Sequence, residues 1–273
     1  MNNTEPINGE EPRPAPAEPA ETPEPQAPRL TEPAASSRDP FWSYTDLLLF
    51  IGLTIPSMLL GVLLVKSVMA IFHLHTAATV LELLPEQIIG YLLLFGALRL
   101  IFRLEYGRPF WQSLGWTPMR LPAAQVAIAG VATALGVAMA GSVIHLPEGP
   151  NPMKDLVMQG GVSLVLLAAF GVGVAPLCEE LAFRGFLQPL LVRSFGGVVG
   201  ILVPAVAFGL LHYPEYGNSW RHALLLSAAG ACFGAMRHFT RSTKAAVLMH
   251  AAYNGVLFLL LAIALASERN LHP

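Results

Sequence analysis

Polar and ionisable side chains interrupt an otherwise apolar sequence at three places, each with a spacing that could do chemistry. The first is Cys178-Glu179-Glu180-Leu181-Ala182-Phe183-Arg184, an EExxxR element. Glu180 and Arg184 are four residues apart, so on a helix they share a face and can pair. Glu179 lies about 100° around the helix from Glu180, which leaves it the freer carboxylate. The second element is FxxxH, Phe208 to His212; the third is HxxxN, His250 to Asn254, whose two polar side chains project from one helix face. A partly desolvated carboxylate can take a proton from water, and an imidazole such as His212 can share that task and pass the proton to a leaving amine. His250 and the Asn254 amide can donate to a developing oxyanion. That set suits amide hydrolysis without a Ser or Cys nucleophile. Cys178 reads as a small core filler. Any one of these histidines, taken alone, reads equally as a buried side chain bonded to a carbonyl. Three such elements on three separate segments are harder to dismiss as packing.

The surrounding sequence says what must position them. Apolar residues make up 54% and charged residues 12%, with mean hydropathy +0.55, against about 25% charge in soluble domains. This excludes a soluble enzyme, a nucleic-acid binder with a basic face, and a disulfide-stapled scaffold. The expected fold is all-α, a polytopic transmembrane bundle of seven or eight helices, because lipid demands internally bonded backbone and no strand alternation appears. Residues 1–40 hold ten prolines and eight acids against three arginines; they read as a disordered tail, with residues 41–273 as the membrane domain. No basic stretch followed by a short apolar one opens the chain, so a cleaved signal peptide is not expected.

Uncharged runs of spanning length lie between Asp46 and Lys66, Arg120 and Glu148, Asp155 and Glu179, Arg193 and Glu215, Arg221 and Arg237, and Lys244 and Glu268. A shorter run, Gln87–Leu98, can be extended by snorkelling Arg99 and Arg103. An eighth helix follows if Gly185–Val192 forms a separate kinked segment. The Lys/Arg distribution places the N-terminus in the cytoplasm for seven crossings. Trp42, Tyr44, Trp111 and Trp116 read as interfacial aromatics, and residues 213–216 as a loop that could gate the site. Gly171, Gly173 and Pro176 weaken the helix just before the acids, where water is expected to enter. Straight spans would put Glu179 and His212 towards opposite membrane faces. Kinks at Pro176 and Pro204, or re-entry around Pro189, are needed to join them.

In this order, the three elements resemble the CPBP family, the CAAX prenyl endopeptidases of the Ras-converting type and their bacterial relatives. The resemblance spans about residues 110–266, including FWQSLGW at 110–116. It implies an intramembrane glutamate endopeptidase in which Glu179 activates water, His212 assists, and His250 and Asn254 form the oxyanion hole. Glu180, Arg184 and Phe208 would support the site. The implied substrate is a membrane-associated peptide or protein cut near its C-terminus, prenylated and CAAX-like in the eukaryotic members. The short chain and Pro-rich tail point to a bacterial inner-membrane member. No cofactor and no nucleic acid are expected. Three other readings stand beside it. Zinc could be held by Glu179, His212 and His250, although HExxH is absent. A non-catalytic scaffold or bacteriocin-immunity protein could keep the same fold. A transporter would show corresponding broken helices in two halves, whereas the polar elements here are confined to the C-terminal half.

Overall fold

The computed structural model describes residues 1–2, 39–76, 78–146, 152–159 and 161–271. Most of the tail expected over residues 1–40 lies outside them. The described chain from Asp39 onward is helical throughout its regular structure: α1 (Tyr44–Ile71), α2 (Val80–Leu104), α3 (Phe110–Ser113), α4 (Ala123–Val143), α5 (Pro152–Met158), α6 (Gly161–Ala169), α7 (Ala175–Glu180), α8 (Gln188–Leu211), α9 (Trp220–Thr240) and α10 (Thr243–Leu271). Two π-helical turns, Phe170–Val174 and Leu181–Leu187, join α6, α7 and α8 into one run. Among the described residues five helical runs are long and apolar enough to cross a bilayer: Tyr44–Ile71, Val80–Leu104, Ala123–Val143, Gly161–Leu211 and Thr243–Leu265. This is a multi-pass membrane protein. Leu48, Ile51, Ile55, Leu59 and Leu63 on α1 turn outward, as a lipid-facing surface requires.

The Gly161–Leu211 run has 51 residues, far more than about 20 needed to span hydrocarbon, and Gly196 folds it in two. Its backbone there is φ 81°, ψ 174°, a region essentially reserved for glycine. Contacts across the fold pair residues at equal distances from this hinge. A Cβ on Gly200 would sit 2.3 Å from the Val192 side chain, and the Arg184 guanidinium lies 5.0 Å from the Phe208 ring centroid. Residues 192 and 200 flank Gly196 by four on each side, and 184 and 208 by twelve. The run is therefore two antiparallel arms. This corrects two expectations. Residues 185–192 are not a separate eighth helix but the continuation of the arm that carries the glutamates, and neither the prolines nor re-entry makes the reversal. Glu179 and His212, seventeen and sixteen residues from the hinge, are brought level by it.

Seven long segments thus run up and down among the described residues, with α9 as long as α4 at 21 residues though less apolar. One end gathers the start of α1, α3, the Gly196 hinge and the α9–α10 turn. Arg193 Nη1 donates to the Pro40 carbonyl, Thr243 N to Gly115 O at 2.9 Å, and Thr117 Oγ1 to Arg241 O at 3.2 Å. At the opposite end, Arg221 Nη1 donates to His145 O at 2.6 Å. The second span begins earlier than its uncharged run. Glu82 and Glu86 enter α2 because Lys66 of α1 pairs with both, the latter at 3.6 Å.

Trp42 is a third correction. It is not an interfacial aromatic but is 1% exposed, stacked on Phe102 and Phe186, with its indole N–H donating to Phe186 O at 3.1 Å. A buried Trp is stable when its N–H is satisfied, and here the partner is the arm that holds the acids. Gly196→Ala meets no steric neighbour, so its cost is conformational alone, about 1–3 kcal/mol. The expected outcome is a lowered thermal midpoint of the detergent-solubilised protein, with the helical circular-dichroism spectrum retained.

Candidate functional site

Pro176 shapes the turn that precedes the acids. The Ala175 N–H bonds to Phe170 O, five residues back, so the next carbonyl in this widened pattern, Gly171 O, would need the N–H of residue 176. Proline has none. The orphaned carbonyl accepts instead from Asn254 Nδ2 at 2.6 Å. Gly171 makes that reach feasible, since a Cβ there would meet the Phe258 ring of α10 at 2.7 Å. Such π-turns recur at functional sites, and here one lies on each side of α7, the six residues that end in Glu179 and Glu180.

Glu180 and Arg184 are both wholly buried, with Arg184 Nη1 3.1 Å from Glu180 Oε1. A buried ion pair must recover its desolvation cost from further hydrogen bonds. Arg184 Nη2 donates to Gly230 O at 2.7 Å, and the guanidinium lies over Phe183, Phe208 and Phe233 at 5.0–5.6 Å. The same carboxylate oxygen holds His250 Nδ1 at 2.9 Å. An ionised carboxylate only accepts, so Nδ1 carries the proton and Nε2 is the free nitrogen. Phe233 stacks on the His250 ring at 4.4 Å, and Phe208 meets it edge-on at 5.6 Å.

Glu179 lies between the two imidazoles. Its Oε2 is 3.7 Å from His250 Nε2 and its Oε1 is 4.0 Å from His212 Nε2. His212 Nδ1 donates to Phe208 O at 2.8 Å, because a carbonyl cannot donate, so here too Nε2 is the free nitrogen. A carboxylate and two imidazole lone pairs cannot face one another unless a donor stands among them, a shared proton or a water. Glu179 is about one-fifth exposed and His212 likewise, so water can reach this point.

The sequence-derived residues are therefore brought together, with one difference of placement. Glu179, Glu180, Arg184, Phe208, His212 and His250 form one connected group. Asn254 contributes one amide N–H to Gly171 O, eight residues upstream of Glu179, and keeps its second N–H. Among the described residues no cluster of three or more His, Cys, Asp or Glu side chains is arranged to hold a metal.

Sequence reasoning missed three members. Gly230 and Phe233 come from α9, which carries none of the three elements; its small-residue run SAAGACFG is the signal, since such runs let membrane helices approach closely. Glu215, assigned only to a gating loop, puts its carboxylate 4.0 Å from His212 Nε2. Next to it, burial, with lesser contributions from Glu215 and Glu179, pushes the Tyr216 phenol up to about 12, so it remains an O–H donor at neutral pH. Its ring stacks on His222 at 5.0 Å.

A helical membrane domain with carboxylates and imidazoles converging inside it defines the class of an intramembrane protein with a polar buried site. Residues 161–256 match the family described as type II CAAX prenyl endopeptidase Rce1-like. This segment contains all three elements, and the family it is similar to is one of CAAX-type proteases. No curated protein and no solved structure matches the chain.

Arg184→Ala strands the Glu180 charge and is expected to cost about 3–5 kcal/mol, measured as loss of folded protein in detergent. The double change Glu180→Gln/Arg184→Met removes both charges and should recover part of that loss. Asn254→Ala leaves Gly171 O unpaired and should cost about 1–3 kcal/mol by the same measurement.

Proposed function

We propose that the protein is an intramembrane endopeptidase that hydrolyses a peptide bond with water activated by Glu179. The observation that carries this reading is one carboxylate flanked by two imidazoles whose outer nitrogens are both fixed by partners. A water between Glu179 Oε1 and His212 Nε2 gives a proton to the carboxylate while its oxygen attacks the scissile carbonyl. The tetrahedral oxyanion is met by Nε2–H of His250 when the proton shared between Glu179 and His250 rests on the imidazole, backed by Glu180, and by the Asn254 N–H not used on Gly171. Collapse breaks the C–N bond, and the abstracted proton passes through His212 to the leaving amine. Glu180 and Arg184 touch none of the reacting atoms; they orient His250. Phe208 fixes His212 through its carbonyl and shields the guanidinium.

The substrate class is a membrane-associated peptide or protein, because the site is reached within a bundle whose outer surface is apolar. No metal takes part in this reading, and none of its steps needs one. The decisive experiment is a cleavage assay in reconstituted vesicles with a library of lipid-anchored and membrane-spanning peptides. Glu179→Gln is expected to lower the rate by at least about a hundredfold with an unchanged thermal midpoint. Full biological effect from a folded Glu179→Gln protein would instead make it a non-catalytic scaffold or immunity protein. Activity should survive exhaustive chelation; loss that added Zn²⁺ restores would replace this mechanism with a zinc one. Glu215→Gln should shift the pH profile of cleavage without abolishing it, since Glu215 faces His212 from the water side.

A further inference from the structure

At the arginine-rich end, away from Glu215 and His212, a cavity of about 510 Å³ opens between the start of α1, the segment after α3, the first arm and the end of α9. Among the described residues four arginines line it, Arg184, Arg193, Arg237 and Arg241, against one acid, Asp39. Arg184 is neutralised by Glu180; the other three leave an excess of positive charge. Two of them are held in place. Arg193 Nη1 bonds to the Pro40 carbonyl, and Arg237 Nε donates to Thr243 Oγ1 at 2.9 Å. Arg237 also lies where a side chain at Gly115 would be, since a Cβ there would fall 2.4 Å from Nη2. Each guanidinium has five N–H donors, so both keep donors to spare.

Two deeply buried side chains also leave polar atoms unmatched at this cavity. Gln188 is 2% exposed; its Nε2 donates to Gly234 O at 2.8 Å, and its Oε1 lies beside the same residue, 3.2 Å from where a Cβ on Gly234 would stand. Oε1 and Arg184 Nε have no partner among the described residues. The cavity thus offers guanidinium donors for an anion, with the Asp39 carboxylate as an acceptor for hydroxyl or ammonium hydrogens. A phosphate with a hydroxyl- or amine-bearing substituent matches both sets, and arginine forks suit phosphate oxygens.

We propose that this cavity binds a phosphate group at headgroup level, with an anionic phospholipid as its source. Its position supports the lipid source. The cavity sits at the end of the spanning helices, where Tyr44 and Trp111 are exposed in the manner of an interfacial aromatic belt. Basic pockets between membrane helices at this depth select anionic headgroups. The inference does not depend on the hydrolytic reading of Glu179, although Arg184 borders both places.

The test uses the full chain in neutral detergent, with binding read by native mass spectrometry and thermal shift. The probes are short-chain phosphatidylglycerol, phosphatidylcholine and inorganic phosphate. Saturable phosphatidylglycerol binding is expected, at least about tenfold tighter than phosphatidylcholine. Arg193→Gln/Arg241→Gln should weaken it by at least about tenfold. Both side chains are exposed, so the fold should stand, and the unliganded midpoint checks that. Arg99→Gln/Arg103→Gln, which removes two exposed charges outside the cavity, should bind as the unmodified protein does. Inorganic phosphate that binds as tightly as the lipid, and is lost in the same double variant, supports the phosphate site but makes its source soluble. Absence of saturable binding by either phosphate probe, or equal losses in both double variants, overturns the proposal.

Discussion

The arrangement rests on one buried ion pair. Glu180 and Arg184 have no access to solvent, and a charge in that setting must draw compensation from its surroundings. The compensation recruits the rest of the bundle. Gly230 of α9 supplies a carbonyl, Phe183, Phe208 and Phe233 cover the guanidinium with their rings, and His250 of α10 shares the carboxylate oxygen. Three later segments are thereby pinned to the first arm at one level. Because Arg184 satisfies Glu180, the adjacent Glu179 is left to face His212 and His250. Two neighbouring acids that look redundant in the sequence have divided roles.

Depth is set by backbone. The long run from Gly161 to Leu211 reverses at Gly196, and equal arm lengths bring Glu179 and His212 to the same height. Close approach then depends on small residues where helices touch. At Gly209 a Cβ would fall 2.3 Å from Ala223 O, and at Gly130 it would fall 2.2 Å from Met249 O. In lipid, where apolar contact gives no net drive for helices to associate, such van der Waals fit and interhelical hydrogen bonding take that role. The polar side chains therefore serve twice. They hold the helices together and they build the site.

Asn254 illustrates how a helix defect and a polar side chain offset one another. Pro176 deletes a backbone donor, the widened turn shifts the demand to Gly171 O, and the carboxamide from α10 answers it. Water and ligand are admitted to membrane interiors where backbone is broken in this way, and the break here is sealed on the side of α10. Arg184 links this site to the basic cavity at the other end, one face turned to Glu180 and one to Gln188 and the arginines.

The sequence by itself determined the class of fold, because composition and uncharged run length leave only helices in lipid, and it singled out most of the polar side chains that meet inside the bundle. Charged side chains inside apolar runs are costly enough that each must be used, which singled out Glu179, Glu180, Arg184, His212 and His250. The i,i+4 spacing correctly paired Glu180 with Arg184. Run length failed at residues 179–193 because an interior ion pair was counted as the boundary of a span, and at α2 because Lys66 neutralises Glu82 and Glu86 from a neighbouring helix. Trp42 and the α9 residues Gly230 and Phe233 were illegible for a related reason: their partners lie far along the chain. Only the tertiary structure decided that a single glycine at positive φ turns the arm back, that Asn254 completes a proline-broken turn, and that four arginines from the first arm, α9 and the α9–α10 turn share one cavity. Those outcomes depend on which surfaces meet, and periodicity along one strand of sequence carries no information about that.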